Sequence, residues 1–195
     1  MRNPTEISRR YPSCTGFTII EMMIAVAVIA ILVRIAAPTV RDATLNARMS
    51  AQVSNLMVDF ATARSEAVHR NARVAICTSN TGSSCTGTTW EQGWMLFVDS
   101  NQDGSLSAGE AILKVSPALQ PGNTLEVAGD SGSGGARYVP YRPSGVISPN
   151  SGATVTFRMC DFRTTSNVGG GAAGNKGRLI TINNTGRPVV SRITC

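Results

Sequence analysis

Residues 17–37, FTIIEMMIAVAVIAILVRIAA, constrain this chain more than any other stretch. A helix needs about 20 consecutive apolar residues to cross the hydrocarbon core of a bilayer. In this run only Glu21 and Arg34 are charged. Arg9 and Arg10 precede it on a short polar arm, so the positive-inside bias places the N-terminus in the cytoplasm and the remainder outside. An ordinary signal peptide would show a small-residue cleavage site after its apolar core; here the chain beyond Ala37 keeps a helical pattern instead. Arg34 lies near the outer end, where a long side chain reaches the interface. Glu21 lies one turn inside the inner end and cannot do so. An unpaired carboxylate there is expensive, so Glu21 implies a partner. Cleavage between Gly16 and Phe17 would create an α-amine with which a neighbouring subunit's Glu21 could pair.

The residues around that boundary, Gly16-Phe17-Thr18-Ile19-Ile20-Glu21-Met22-Met23, resemble the class III signal of type IV pilins and pseudopilins. The resemblance implies that a prepilin peptidase cuts after Gly16 and methylates Phe17. It implies that Glu21 registers the subunit against other major and minor pilins in the inner membrane, before the filament reaches the cell surface. Pro38 matches the helix-kinking proline of that family. The implied fold is α+β: a long N-terminal helix, membrane-spanning in its first half, packed on an antiparallel β-sheet head. The chain divides accordingly into a leader (1–16), a transmembrane and assembly helix (17–37), an amphipathic second half of the helix (38–70) and a β-rich head (71–195).

The residues beyond Pro38 support that plan independently. Met49, Val53, Leu56, Phe60, Ala63 and Ala67 recur in steps of four and three, the signature of a helix with one buried stripe. The helix is expected to end near Arg70, with His69 as a surface or capping side chain. Short β-prone runs follow at 73–78, 93–98, 111–115, 124–128, 137–141, 153–159, 178–182 and 188–193, separated by Gly, Ser and Asn. Segments 129–136 and 166–177 read as loops by composition. Four cysteines lie beyond the apolar run, an even number suited to an oxidising compartment. They admit three pairings. The expected one joins Cys77 to Cys85 across a short polar loop and Cys160 to Cys195, stapling the C-terminal strand to an earlier one.

Within the pilin-like superfamily the head looks most like the GspH/FimT group. The strand 93–99, the turn from Asp99 to Glu110, and Gly186-Arg187 ahead of the last strand carry this likeness. Asp99, Asn101, Asp103, Ser105 and Glu110 also fit the spacing of a calcium loop, with Gly104 at the sharp turn. The flanks read as strands rather than helices, so a structural turn is the preferred reading and a calcium site the alternative.

Charge is unevenly shared. Residues 17–130 carry seven Lys/Arg and ten Asp/Glu, whereas residues 131–195 carry eight Lys/Arg against Asp161 alone. Such skew points to an anionic partner. Lys176, Arg178, Arg187 and Arg192 are the candidates for a stripe that follows phosphates of double-stranded DNA, with affinity that falls as salt rises. The bland alternative is a solvated basic face. FimT-like minor pilins of naturally transformable bacteria bind DNA through a Gly-Arg-x-Arg motif. Gly186 and Arg187 match it, while Val189 stands at the second arginine's place. No nucleophile–base arrangement, phosphate loop or histidine cluster suggests an enzyme. The sequence thus reads as a FimT-type minor pilin with a candidate DNA-binding surface, against a GspH-type pseudopilin of type II secretion.

Overall fold

The computed structural model describes residues 16–128, 137–147, 154–161 and 177–195. Helix α1 spans Ile19–Arg70, and the chain divides into two compact units, the second being Leu45–Cys195. Residues 1–15 of the leader and Lys176 lie outside the described residues, as do segment 129–136 and residues 166–176.

In the first unit the helix is apolar on every side. Phe17, Ile19, Ile24, Ile29 and Val33 are each more than half exposed, and the large apolar side chains between them are at least half exposed. Its length and composition suffice to cross a membrane.

The second unit has its own core. The stripe Met49, Val53, Leu56, Phe60, Ala63 and Ala67 is buried, none of it more than 4% exposed. Eight strands follow: β1 (Val74–Thr78), β2 (Trp94–Val98), β3 (Ile112–Ser116), β4 (Asn123–Ala128), β5 (Tyr138–Tyr141), β6 (Val155–Asp161), β7 (Gly177–Ile182) and β8 (Pro188–Ile193). They form two antiparallel sheets, ordered β3-β2-β1-β5 and β4-β6-β7-β8. Each of the eight β-prone runs in the sequence has become one strand. The packing differs in that the helix stripe meets two sheets. Val74, Ile76, Trp94, Leu96, Val139 and Tyr141 from the first join Leu125, Phe157, Met159, Ile180 and Ile182 from the second in one core. Trp90, on a one-turn 3-10 helix (Trp90–Gln92), bridges them, with its ring 4.9 Å from Phe157 in an edge-on contact.

The first sheet is buried on its other face as well. Ala75, Cys77, Met95 and Phe97 form a second cluster there, covered by Cys85, Leu106 and Tyr138. This explains why β1 is buried at all five positions instead of alternating. Two loops supply the cover. One is closed by the Cys77–Cys85 disulfide, the other is the 99–110 turn.

Candidate functional site

At the head of α1, the Glu21 amide donates to Thr18 Oγ1 at 3.3 Å and the Met22 amide to the Thr18 carbonyl at 3.2 Å. Thr18-Ile19-Ile20-Glu21 has the spacing of a capping box, in which hydroxyl and carboxylate answer orphan amides of the first turn. Sequence reasoning assigned Glu21 to assembly and overlooked Thr18, although the T-x-x-E pattern was visible. Phe17 is 79% exposed beside this cap, available to a neighbouring molecule.

The 99–110 segment is a densely bonded turn. Glu110 Oε1 accepts from the Ser100 amide (2.7 Å) and its Oε2 from the Ser107 amide (2.9 Å). Asp103 Oδ1 accepts from the Ser105 amide at 2.7 Å, which is the main reason its carboxyl is held below the ordinary value. Asn101 donates to Asp103 (2.8 Å) and to Ser107 (3.0 Å). Asp99 is fully buried, and its Oδ2 lies 3.0 Å from Arg73 Nε. Burial pushes the Asp99 carboxyl up, and the Arg73 cation opposes this. Gly104, at a φ of +75°, sits where a Cβ would come within 2.8 Å of the Tyr138 ring. The turn thus holds Leu106 over the outer cluster. Ser105 contributes its backbone amide to this network.

The basic residues separate into two places. Arg178 on β7 and Arg192 on β8 are directly opposed in register. Arg187 occupies the turn at the other end of that hairpin, where Ile182 pairs with Pro188. Five residues of strand separate Arg187 from Arg192, roughly 16 Å at about 3.3 Å per residue. Arg178 Nη1 donates to the Gly177 carbonyl at 3.0 Å.

The turn bearing Arg187 is seated firmly. Gly186 has a φ of +74°, and an added Cβ would meet the Gly145 carbonyl, the Tyr141 ring and Arg64 Cδ. The buried Tyr141 hydroxyl donates to the Gly186 carbonyl at 3.2 Å, and Arg64 Nε donates to the Gly145 carbonyl at 2.9 Å. Burial raises the Tyr141 phenol, with the neighbouring Arg64 cation pulling it the other way. Arg142 begins the turn whose fourth residue is Gly145, joined by a 2.8 Å backbone bond. Arg64 and Arg142 were absent from the sequence-derived site, because one lies on the helix and the other after β5.

Both ends of the chain pattern correspond to known families. Residues 52–186 match the family described as "Type II transport protein GspH", and residues 12–35 match the prokaryotic N-terminal methylation motif. Among solved structures, the type IV minor pilin FimU of Pseudomonas aeruginosa is similar at a TM-score of 0.50 with 18% identity. That match covers 73% of this chain and 87% of FimU. The minor pseudopilin EpsH from the type 2 secretion system of Vibrio cholerae aligns at a TM-score of 0.45 with 7% identity, over 75% of this chain and 97% of EpsH. The methylation motif implies a prepilin peptidase as processing partner and, with the apolar helix, membrane anchoring. The family match spans more than half of the chain and, with the methylation motif ahead of a helix stripe buried between two antiparallel sheets, identifies the chain as a member of the GspH family.

Proposed function

We propose that this chain is a minor pilin of a type IV pilus whose basic C-terminal half captures DNA for uptake. It enters the inner membrane with a cytoplasmic N-terminus, loses residues 1–16, and is methylated at Phe17. Glu21 then pairs with the α-amine of the adjacent subunit. The observation that carries this reading is an exposed, lipid-length apolar run at the start of α1 that holds a carboxylate one turn inside its end. Such a group in lipid calls for a counter-charge, and processing creates one four residues away. In the precursor, the positive end of the helix dipole moderates the cost of the Glu21 carboxylate until a neighbour arrives.

Processing and assembly can be separated experimentally. With the peptidase present, intact-mass measurement is expected to find the chain starting at Phe17 with one added methyl. A Gly16→Asp variant should keep its leader. Glu21→Ala should be processed normally yet drop out of purified filaments; a leader retained on the wild-type chain, or wild-type incorporation of Glu21→Ala, defeats the reading.

A second reading, a GspH-type pseudopilin of a type II secretion system, is favoured by the family description itself. Co-purification with pilus filaments or with secretion-system pseudopilins distinguishes the two. For the 99–110 turn, the engagement of Asp99 by Arg73 and of Glu110 by backbone amides supports a structural role over a calcium site.

A further inference from the structure

We propose that the edge strand β8 is a docking site for an extended, acidic segment of a neighbouring pilin subunit, which joins the second sheet as an additional strand. This inference rests on the reading of the chain as a subunit that assembles with other pilins.

The core stops one strand short of this edge. On β7, Ile180 and Ile182 are fully buried. Their register partners on β8 are Val190 and Pro188, yet Val190 is 42% exposed. Val189, on the opposite face, is 58% exposed, and Ser191 and Arg192 are exposed as well. β8 is last in the order β4-β6-β7-β8, and among the described residues β7 is the strand paired with it. Both faces and the outer side of β8 are therefore open to solvent. Alternate amides and carbonyls along such an edge point away from the sheet, as a template for a further strand.

The other three edges are blunted. On β4 the Leu125 amide donates to Glu91 Oε1 at 2.9 Å. β5 is only four residues long, includes Pro140, and is bridged from Tyr141 to Ile147. β3 carries Lys114 and meets β2 through a register shift at Leu96/Phe97. Short length, proline, charge and bulges are the ordinary protections of an edge. β8 has its proline at the first position, and the uncharged run Val189-Val190-Ser191 follows.

Charge selects the occupant. Residues 177–195 contain no Asp or Glu, while Arg187 precedes β8 and Arg192 lies on it. Val190 and Arg192, two residues apart, share one face of the strand. A partner strand with an apolar residue and a carboxylate at the same spacing meets both of them. A second copy of β8 does not: antiparallel pairing that sets Val189 against Val190 also sets Arg187 against Arg192, and opposed like charges destabilise a strand pair. A nucleic-acid strand answers the arginines but leaves the valines uncovered and the strand's amides and carbonyls without a ladder. In strand addition, main-chain bonds supply affinity and alternate side chains supply specificity.

The test uses the full chain in neutral detergent micelles and a fluorescein-labelled peptide, Thr-Glu-Thr-Val-Thr-Glu-Thr, read by fluorescence polarisation. Its symmetry places a Glu two residues from the Val in either strand direction. Wild type should bind it at least about fivefold tighter than a twin with Lys at both Glu positions. Arg192→Glu should invert that preference. Two further twins, N-methylated on one or the other set of alternate amides, should behave oppositely, one binding and one silent, because an added strand bonds through one side only. The Arg192→Glu variant should melt within a few degrees of wild type, since the side chain is exposed. Equal binding of the Glu and Lys peptides, or of the two methylated twins, overturns the proposal. So does capture of duplex DNA, lost in Arg192→Glu, by a chain that binds neither peptide; so does self-association that is lost in Val190→Lys. Removal of residues 1–16 in cells reports on the pilin reading separately. A processed chain that ignores the peptides loses the β8 site and keeps its place among the pilins, whereas a retained leader removes the pilin reading whatever the peptides do.

Discussion

Asp59 is a carboxylate in the middle of an otherwise apolar helix stripe, and such a group persists in a core only when donors surround it. Three do. Trp94 Nε1 donates to it at 2.8 Å, Ser116 Oγ at 2.6 Å, and Lys114 Nζ forms an ion pair with it. The network ties α1 to β2 and β3. Asp59→Ala leaves a buried indole N–H and a hydroxyl unanswered, so urea unfolding should report a loss of about 2–4 kcal/mol. Lys114→Ala should cost less, under about 1 kcal/mol, because 44% of that side chain is in solvent, which screens the pair. Asp103 makes a different prediction. Its folded-state carboxyl is lowered from the ordinary value of 3.8, so its contribution is present above that value and lost as the pH falls through the lower folded one. The melting temperature of Asp103→Asn should therefore lie below wild type at pH 7 and converge with it as acid protonates Asp103. Repeating the pH 7 pair with millimolar calcium and with chelator should change neither, as expected of a structural turn.

At the scale of elements, cover is the organising problem. The first sheet has apolar residues on both faces, and only one can meet the helix. The loops after β1 and β2 bury the other through Cys85 and Leu106, held respectively by a disulfide and by the Glu110 and Asp103 bonds. The second sheet depends on its own staple. Cys160 on β6 is bonded to Cys195 beyond β8, with Cα atoms 6.0 Å apart and a separation of 35 positions in sequence. Opening that loop releases chain entropy in the unfolded state, so Cys160→Ser/Cys195→Ser should lower stability by about 3–4 kcal/mol. The eight-residue separation of Cys77 and Cys85 predicts a smaller effect, about 2–3 kcal/mol. Chemical unfolding of the two double variants beside wild type checks the ranking.

At the scale of the molecule, the two units answer to different solvents. Every residue of 17–37 is exposed, whereas Leu45–Cys195 contains a buried core beginning at Met49. A chain starting at Leu45 is therefore expected to fold cooperatively without detergent, with a single melting transition and native near-ultraviolet dichroism from Trp90 and Trp94. A broad, non-cooperative melt would show that the core needs the preceding helix. The sequence was sufficient for what depends on local order: the lipid-length apolar run, the six-residue helix stripe and all eight strands. Periodicity and composition act over a few neighbours, so they are written in the order of residues. Which strands pair, that the stripe meets two sheets, that Asp59 finds its donors, and that Arg187 stands with Arg64 and Arg142 instead of Arg178 and Arg192 all required the tertiary structure. The Asp59 bonds and the contacts of Gly186 join residues 35 to more than 100 positions apart. Their energies depend on the burial and close approach that only the assembled chain creates.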